Sequence, residues 1–149
     1  HSLIFDSQAP GASTARYLYG LFEGMGANAR KIAHGAEQAV KVPLYGCRDC
    51  GDCSLPETAY LCPESQCVKN QRNGPCGGTR DGLCEVVDKE SIWSRVYDRL
   101  NPIGEGKQIL ERPVIMKNGA LQGTSAWANT LLGRDHTKKI APPPPNANE

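Results

Sequence analysis

The sequence is short of aromatic side chains, of long apolar runs, of histidine and of any surplus of one charge, and each shortage excludes something. Two Trp, five Tyr and two Phe are its whole aromatic content, and 39% of its 149 residues are hydrophobic, so the core it can build is thin. A thin core can be offset when a bound metal contributes folding free energy, because the site exists only in the folded state. No apolar run approaches the roughly 20 residues that cross a bilayer. No signal-type apolar region stands near the start either, and the expectation is a cytoplasmic chain with no membrane partner. Lys and Arg number 17 against 16 Asp and Glu, a balance that gives no general attraction to nucleic acid. The first residue is His1 rather than Met, which leaves open a separate subunit or the later part of a longer polypeptide.

The three histidines, His1, His34 and His136, are far apart in the sequence and none neighbours a cysteine. A lone histidine is usually structural, no nucleophile–base pair can be assembled, and the chain is not expected to be catalytic alone.

What the sequence does have is cysteine. Cys47, Cys50, Cys53, Cys62, Cys67, Cys76 and Cys84 fall in one stretch with the spacing C-x2-C-x2-C-x8-C-x4-C-x8-C-x7-C, and Pro63 follows Cys62 directly. A C-x2-C-x2-C run can wrap three thiolates around one iron–sulfur cubane, completed by a remote cysteine often followed by proline. The full ferredoxin run is not present. Structural zinc is the competing reading, since C-x2-C pairs also suit tetrahedral zinc. Disulfides rank well behind both, because the number is odd and nothing marks secretion. A metal-free redox C-x-x-C pair ranks lower again, without the strand–helix alternation of a thioredoxin-like unit. Covalent haem is excluded because no C-x-x-C is followed by His. All seven cysteines are candidate ligands, of iron–sulfur, 4Fe–4S in type, or alternatively of zinc.

The rest of the chain reads as a small, mostly α fold around an irregular, loop-rich cysteine centre, with few or no β-strands. Residues 1–42 form an N-terminal helical segment: Ser13 and Thr14 are possible N-caps, and Tyr17, Leu18, Leu21, Phe22 and Met25 recur at helical spacing. Gly24 and Gly26 interrupt it. Ala29, Ile32, Ala33, Ala36 and Val40 then mark a second helix ending before Pro43. Residues 43–101 form the cysteine-rich domain, closing in a helix that starts near Asp88 and carries Ile92, Val96 and Leu100 on one stripe, with Pro102 just beyond. Residues 102–141 form a C-terminal extension with an extended piece at Pro113–Met116 and a short helix at Ser125–Leu132 stopped by Gly133. Residues 142–149 are expected to form a proline-rich, disordered tail, favouring polyproline geometry at Pro142–Pro145.

Between Cys67 and Cys84, Gly74, Gly77 and Gly78 would let backbone N–H groups approach sulfur. Lys69, Arg72 and Arg80 could offset thiolate charge, or form an ordinary solvated basic loop. Without aromatic residues among them they do not suggest a nucleic-acid site.

The string Cys47-Arg48-Asp49-Cys50-Gly51-Asp52-Cys53, then Cys62-Pro63, then Arg72-Asn73-Gly74-Pro75-Cys76-Gly77-Gly78, then Gly82-Leu83-Cys84-Glu85-Val86 resembles the cysteine-rich domain found with methylenetetrahydrofolate reductases. There it is a C-terminal extension or a small partner subunit, as in acetogenic bacteria. The resemblance runs from about Pro43 to Leu100. It implies a partner, a methylenetetrahydrofolate reductase-like flavoprotein chain or domain carrying FMN or FAD. It also implies that this chain is an accessory iron–sulfur electron-transfer unit. The alternative is a zinc-stapled interaction module of a one-carbon enzyme assembly, and a weaker third is a regulatory metal sensor. The reductase barrel takes roughly 250 residues, so this chain does not hold it. The family pattern has an eighth cysteine just before the Ile-Trp pair, where this chain has Ser91. Eight thiols suit two four-iron clusters. Seven leave one short, so that Ser91, water or a partner residue completes the second, or only one centre persists. The expected grouping is Cys47, Cys50, Cys53 and Cys62 at one site, with Cys67, Cys76 and Cys84 around residue 91 at the other.

Overall fold

The computed structural model describes residues 10–139. It is mostly helical, with loops through the cysteine region and one two-stranded sheet. The tail at 142–149 and His1 lie outside the described residues. Among the described residues no helix is long and apolar enough to cross a membrane.

Helix α1 spans Ala12–Gly24 and α2 spans Ala27–Tyr45. Helix α1 begins before the expected caps: Gly11 is the N-cap, its carbonyl accepting from Ala15 N at 2.9 Å, and Ser13 and Thr14 sit inside the first turn. Glycine is itself an acceptable N-cap. Gly26, at φ +96°, supplies the break between the two helices, a conformation L side chains rarely adopt. Helix α2 runs through Pro43 rather than stopping before it. Proline forfeits a backbone bond inside a helix, but here Gly46 closes the last turn in the left-handed conformation, with Gly46 N on Val42 O at 2.9 Å and Cys47 N on Lys41 O at 3.4 Å. That ending delivers Cys47 as the first residue past the cap. The apolar stripe on α1 is largely uncovered, Leu18, Leu21, Phe22 and Met25 all being exposed.

A one-turn helix α3 spans Pro63–Gln66. Strands β1 (Thr79–Arg80) and β2 (Leu83–Cys84) pair antiparallel, Thr79 opposite Cys84 and Arg80 opposite Leu83. Asp81 (φ +50°) and Gly82 (φ +80°) make the two-residue turn, the Asp-Gly chemistry that such hairpins favour. The next helix, α4, spans Ile92–Leu100 and starts later than expected. Residues just before it are held by the hairpin: Cys84 N donates to Lys89 O at 2.9 Å and Ser91 N to Gly82 O at 2.8 Å. Ser91 is the N-cap, its hydroxyl accepting from Trp93 N at 3.3 Å. The expected stripe is the core. Ile92, Trp93, Val96 and Leu100 bury themselves with Leu61 and Ile109, and Cys67 and Cys76 pack at the edge.

Beyond α4 come short helices α5 (Gln108–Glu111), α6 (Ala126–Leu131) and α7 (His136–Lys139), and a 3-10 turn at Gly119–Leu121. Helix α6 is capped by Ser125, which accepts from Ala128 N, and Gly133 follows it at φ +66°. Residues Pro113–Met116, expected as an extended piece, form neither helix nor strand. Instead Asn73 pairs with Ile115 as a strand would, Nδ2 donating to its carbonyl at 3.0 Å and Oδ1 accepting from its N–H at 2.6 Å.

Candidate metal centre

The loop after α2 carries Cys47, Cys50 and Cys53, and left-handed turns at Asp49 (φ +53°) and Gly51 (φ +70°) fold it back on itself. Cys62 returns to it on the far side of a loop organised by Thr58. That hydroxyl is fully buried and lies 2.9 Å from the Ser54 carbonyl and 2.7 Å from that of Leu61. Pro63 then occupies the first helical position of α3, where its missing N–H costs nothing. The four cysteines line one cavity together with Lys41 and Arg72.

Both cations are buried, at 4% and 5% exposure. Arg72 donates Nη2 to Cys50 Sγ at 3.1 Å, Nη1 to the Asp52 carbonyl at 2.7 Å and Nε to Glu64 Oε1 at 2.7 Å. Lys41 reaches Cys53 Sγ at 3.6 Å and Glu37 Oε1 at 2.8 Å. The backbone adds a third donor, Asp49 N to Cys47 Sγ at 3.4 Å. Burial pushes the Cys53 thiol up to about 11, with Lys41 opposing, and raises Cys47. Burial works against the Lys41 ammonium, but Cys53 and Glu37 outweigh it and raise its pKa. These thiols therefore hold their protons until something replaces them, and metal binding does so.

Cys67, Cys76 and Cys84 line a second, more open cavity of about 460 Å³, and Ser91 lines it with them. Lys69 Nζ lies 3.7 Å from Cys76 Sγ and pairs with Glu85. Gln71 N donates to Cys67 Sγ at 3.5 Å. The N–H groups of Val86 and Val87 hold the Cys84 thiol below its ordinary pKa. The Ser91 hydroxyl is engaged twice, with Trp93 N and with Thr79 Oγ1 at 2.7 Å.

The thiols thus fall into a group of four and a group of three. Among the described residues, no three His, Cys, Asp or Glu side chains are arranged to hold a single metal ion, so a metal that binds must draw the thiols together or bridge them. The chemistry of the donor set fits a thiophilic centre: soft sulfur ligands suit iron–sulfur and zinc, and two cations already lie against the sulfurs of the larger group.

Other expectations are redistributed. Lys69 and Arg72 do face sulfur, whereas the Arg80 side chain is 94% exposed and pairs with Asp81 at 3.9 Å. Gly74 makes room for the core rather than for sulfur, since a Cβ there would stand 1.9 Å from Trp93 Cδ2. At Gly78 a Cβ would strike the Glu85 carboxylate, and at Gly77 it would meet open space. Two histidines come to the ligand loop despite their distance in sequence. His34 Nε2 pairs with Asp49 at 2.8 Å, and His136 Nδ1 pairs with Asp52 at 2.5 Å while its Nε2 lies 3.3 Å from Glu57. Burial opposes the His136 cation, but the two carboxylates raise its pKa to about 9. Burial likewise opposes the Asp52 anion, and hydrogen bonds from His136 and Asn118 N lower its pKa to about 2. Sequence reasoning missed Lys41 as well. Its one local signal is Glu37 four residues earlier on α2, one helical turn away.

A family model described as methylene-tetrahydrofolate reductase C terminal matches residues 27–119, well over half of the chain. No curated protein and no solved structure matches it.

Proposed function

The chain belongs to the methylene-tetrahydrofolate reductase C-terminal family, and from that premise we propose that it is an accessory iron–sulfur electron-transfer unit of a flavin-dependent methylenetetrahydrofolate reductase. The observation that carries the reading is the cavity shared by Cys47, Cys50, Cys53 and Cys62, with Arg72 and Lys41 against two of the sulfurs. An iron–sulfur cluster held there supplies one-electron chemistry. The residues of the chain do the rest. Arg72 and Lys41 compensate thiolate charge that burial would otherwise forbid, and the carboxylates of Glu64 and Glu37 fix the two cations in place. Reduction of the folate belongs to the partner flavoprotein, which carries FMN or FAD. Cys67, Cys76 and Cys84 offer a second thiol site of the same kind.

Metal analysis of the chain purified without air tests the reading. The expected result is iron with acid-labile sulfide and a brown absorption that dithionite bleaches. Colourless protein holding zinc alone would replace the relay with a zinc-stapled interaction module. Cys50→Ser should lose the metal of the four-thiol site and a large part of the folded stability, because binding energy there is folding energy. Unchanged metal content and melting temperature in that variant would remove the site.

A further inference from the structure

The peptide between the first three cysteines has its own partners: His34 and Gln38 hold the Asp49 carboxylate and Arg72 the Asp52 carbonyl, and most of the others come from one late segment. Asn118 N donates to Asp52 Oδ2 at 2.6 Å. Gln122 Nε2 donates to the Asp49 carbonyl at 2.8 Å, which also accepts from Gly123 N at 3.0 Å. Asn129 Nδ2, on a side chain only 2% exposed, donates to the Gly51 carbonyl at 2.8 Å. His136, also 2% exposed, bonds Asp52 through both its backbone N and Nδ1. The fit is close, for a Cβ on Gly51 would stand 1.7 Å from the Leu121 carbonyl oxygen. Little of this segment falls in the family match, which ends at residue 119.

We propose that residues 118–136 form a clamp that sets the shape of the Cys47–Cys53 ligand loop, with Asn129 and His136 as its positioning residues. The loop is otherwise short, irregular and rich in left-handed turns, so its carbonyls and the Asp52 carboxylate need partners from elsewhere. Residues that orient ligands from outside tune how tightly a centre is held and at what potential it works. His136 acts through Asp52, two residues after Cys50 and next to Cys53. Asn129 acts through Gly51, between them. The clamp therefore governs metal retention at the four-thiol site without any of its residues touching metal.

The inference rests on the metal reading above, and the test separates the two. Full-length wild type, His136→Leu, His136→Asn, Asn129→Ala and Arg134→Ala are purified without air and challenged with an excess of a ferrous and zinc chelator. Arg134 is on the same segment but pairs with Glu23 at 3.2 Å, away from the loop. His136→Leu and Asn129→Ala should release metal about ten- to a hundredfold faster, well below their unfolding temperatures, and show altered visible spectra. His136→Asn, whose amide nitrogen takes about the place of Nδ1, should recover much of the wild-type rate, and Arg134→Ala should keep it. If His136→Leu fails to fold, Asn129→Ala decides alone. Wild-type release rates and spectra in the variants, with only the melting temperature lowered, would overturn the clamp and leave the metal reading standing. A wild type without metal would overturn both.

Discussion

Arg72 is the residue where stability and proposed function meet. It is buried, ties Glu64 to the cysteine loop and donates to Cys50 Sγ. Arg72→Met keeps bulk and removes charge. Breaking a buried ion pair from one side costs about 3–5 kcal/mol, and here Lys117 at 3.2 Å retains part of the Glu64 interaction, so the low end is expected in chemical denaturation. Removing a cation beside sulfur also disfavours the more negative, reduced state, so the midpoint potential should fall. A potential that rises or stays fixed would show that Arg72 acts on folding only. Ser91 poses the opposite balance. As the N-cap of α4 it is worth about 0.5–2 kcal/mol, yet it lines the cavity of Cys67, Cys76 and Cys84. Ser91→Cys should therefore lower the stability of the metal-free chain by about 1 kcal/mol while raising its metal content. Equal metal content and equal oxygen sensitivity in the two proteins would place residue 91 outside any metal site.

At the scale of elements, the Arg72–Gly78 loop and α4 are one packing unit, because Gly74 lies on the Trp93 indole so closely that a methyl group cannot be inserted. Gly74→Ala should cost about 1–3 kcal/mol by overpacking, and Trp93→Ala about 3–5 kcal/mol by leaving a cavity. Since the two effects share one space, they should not add. In the Trp93→Ala background the Gly74→Ala penalty should largely vanish, and a double-mutant cycle in urea measures this. Additive losses would mean that the loop reaches α4 by other contacts. The sequence made some of this legible. The i, i+4, i+8 stripe of Ile92, Val96 and Leu100 announced the buried face of α4, and Ser125 with Gly133 bounded α6. Its start and stop signals were less reliable. Ser13 and Thr14 suit caps chemically, but Gly11 already supplied the first carbonyl. Pro43 reads as a breaker, yet the left-handed ending at Gly46 was the stronger signal. Asp81-Gly82 marked a hairpin that too few flanking apolar residues advertised.

Over the whole molecule, the division of cysteines into four and three follows the chain order, so spacing alone made it legible. What closes over the four did not show locally, because most partners of the ligand loop stand 66 to 84 residues later and nothing in local periodicity encodes that return. His136 is the clearest case, since in sequence it is an isolated histidine and in the fold it is a buried imidazole set between the carboxylates of Asp52 and Glu57. Its folded pKa of about 9 lies above the ordinary 6.5, so its contribution is fully present below about pH 6.5 and is lost as pH rises through about 9. Asp52 behaves in the opposite sense. Its folded pKa of about 2 lies below the ordinary 3.8, so its contribution is present above about pH 4 and is lost as pH falls through about 2. The two are one interaction seen from either side, and the ion pair stabilises the chain most between about pH 4 and 6.5. Thiols also titrate as pH rises, in every form of the protein, so the wild type must be compared with His136→Asn, which keeps a donor but cannot charge. The wild-type melting temperature should exceed that of His136→Asn by the widest margin near pH 6 and converge on it above pH 9. A margin that stays constant from pH 6 to 10 would mean that the His136 ring is neutral throughout, held as a hydrogen-bond donor and not as a cation.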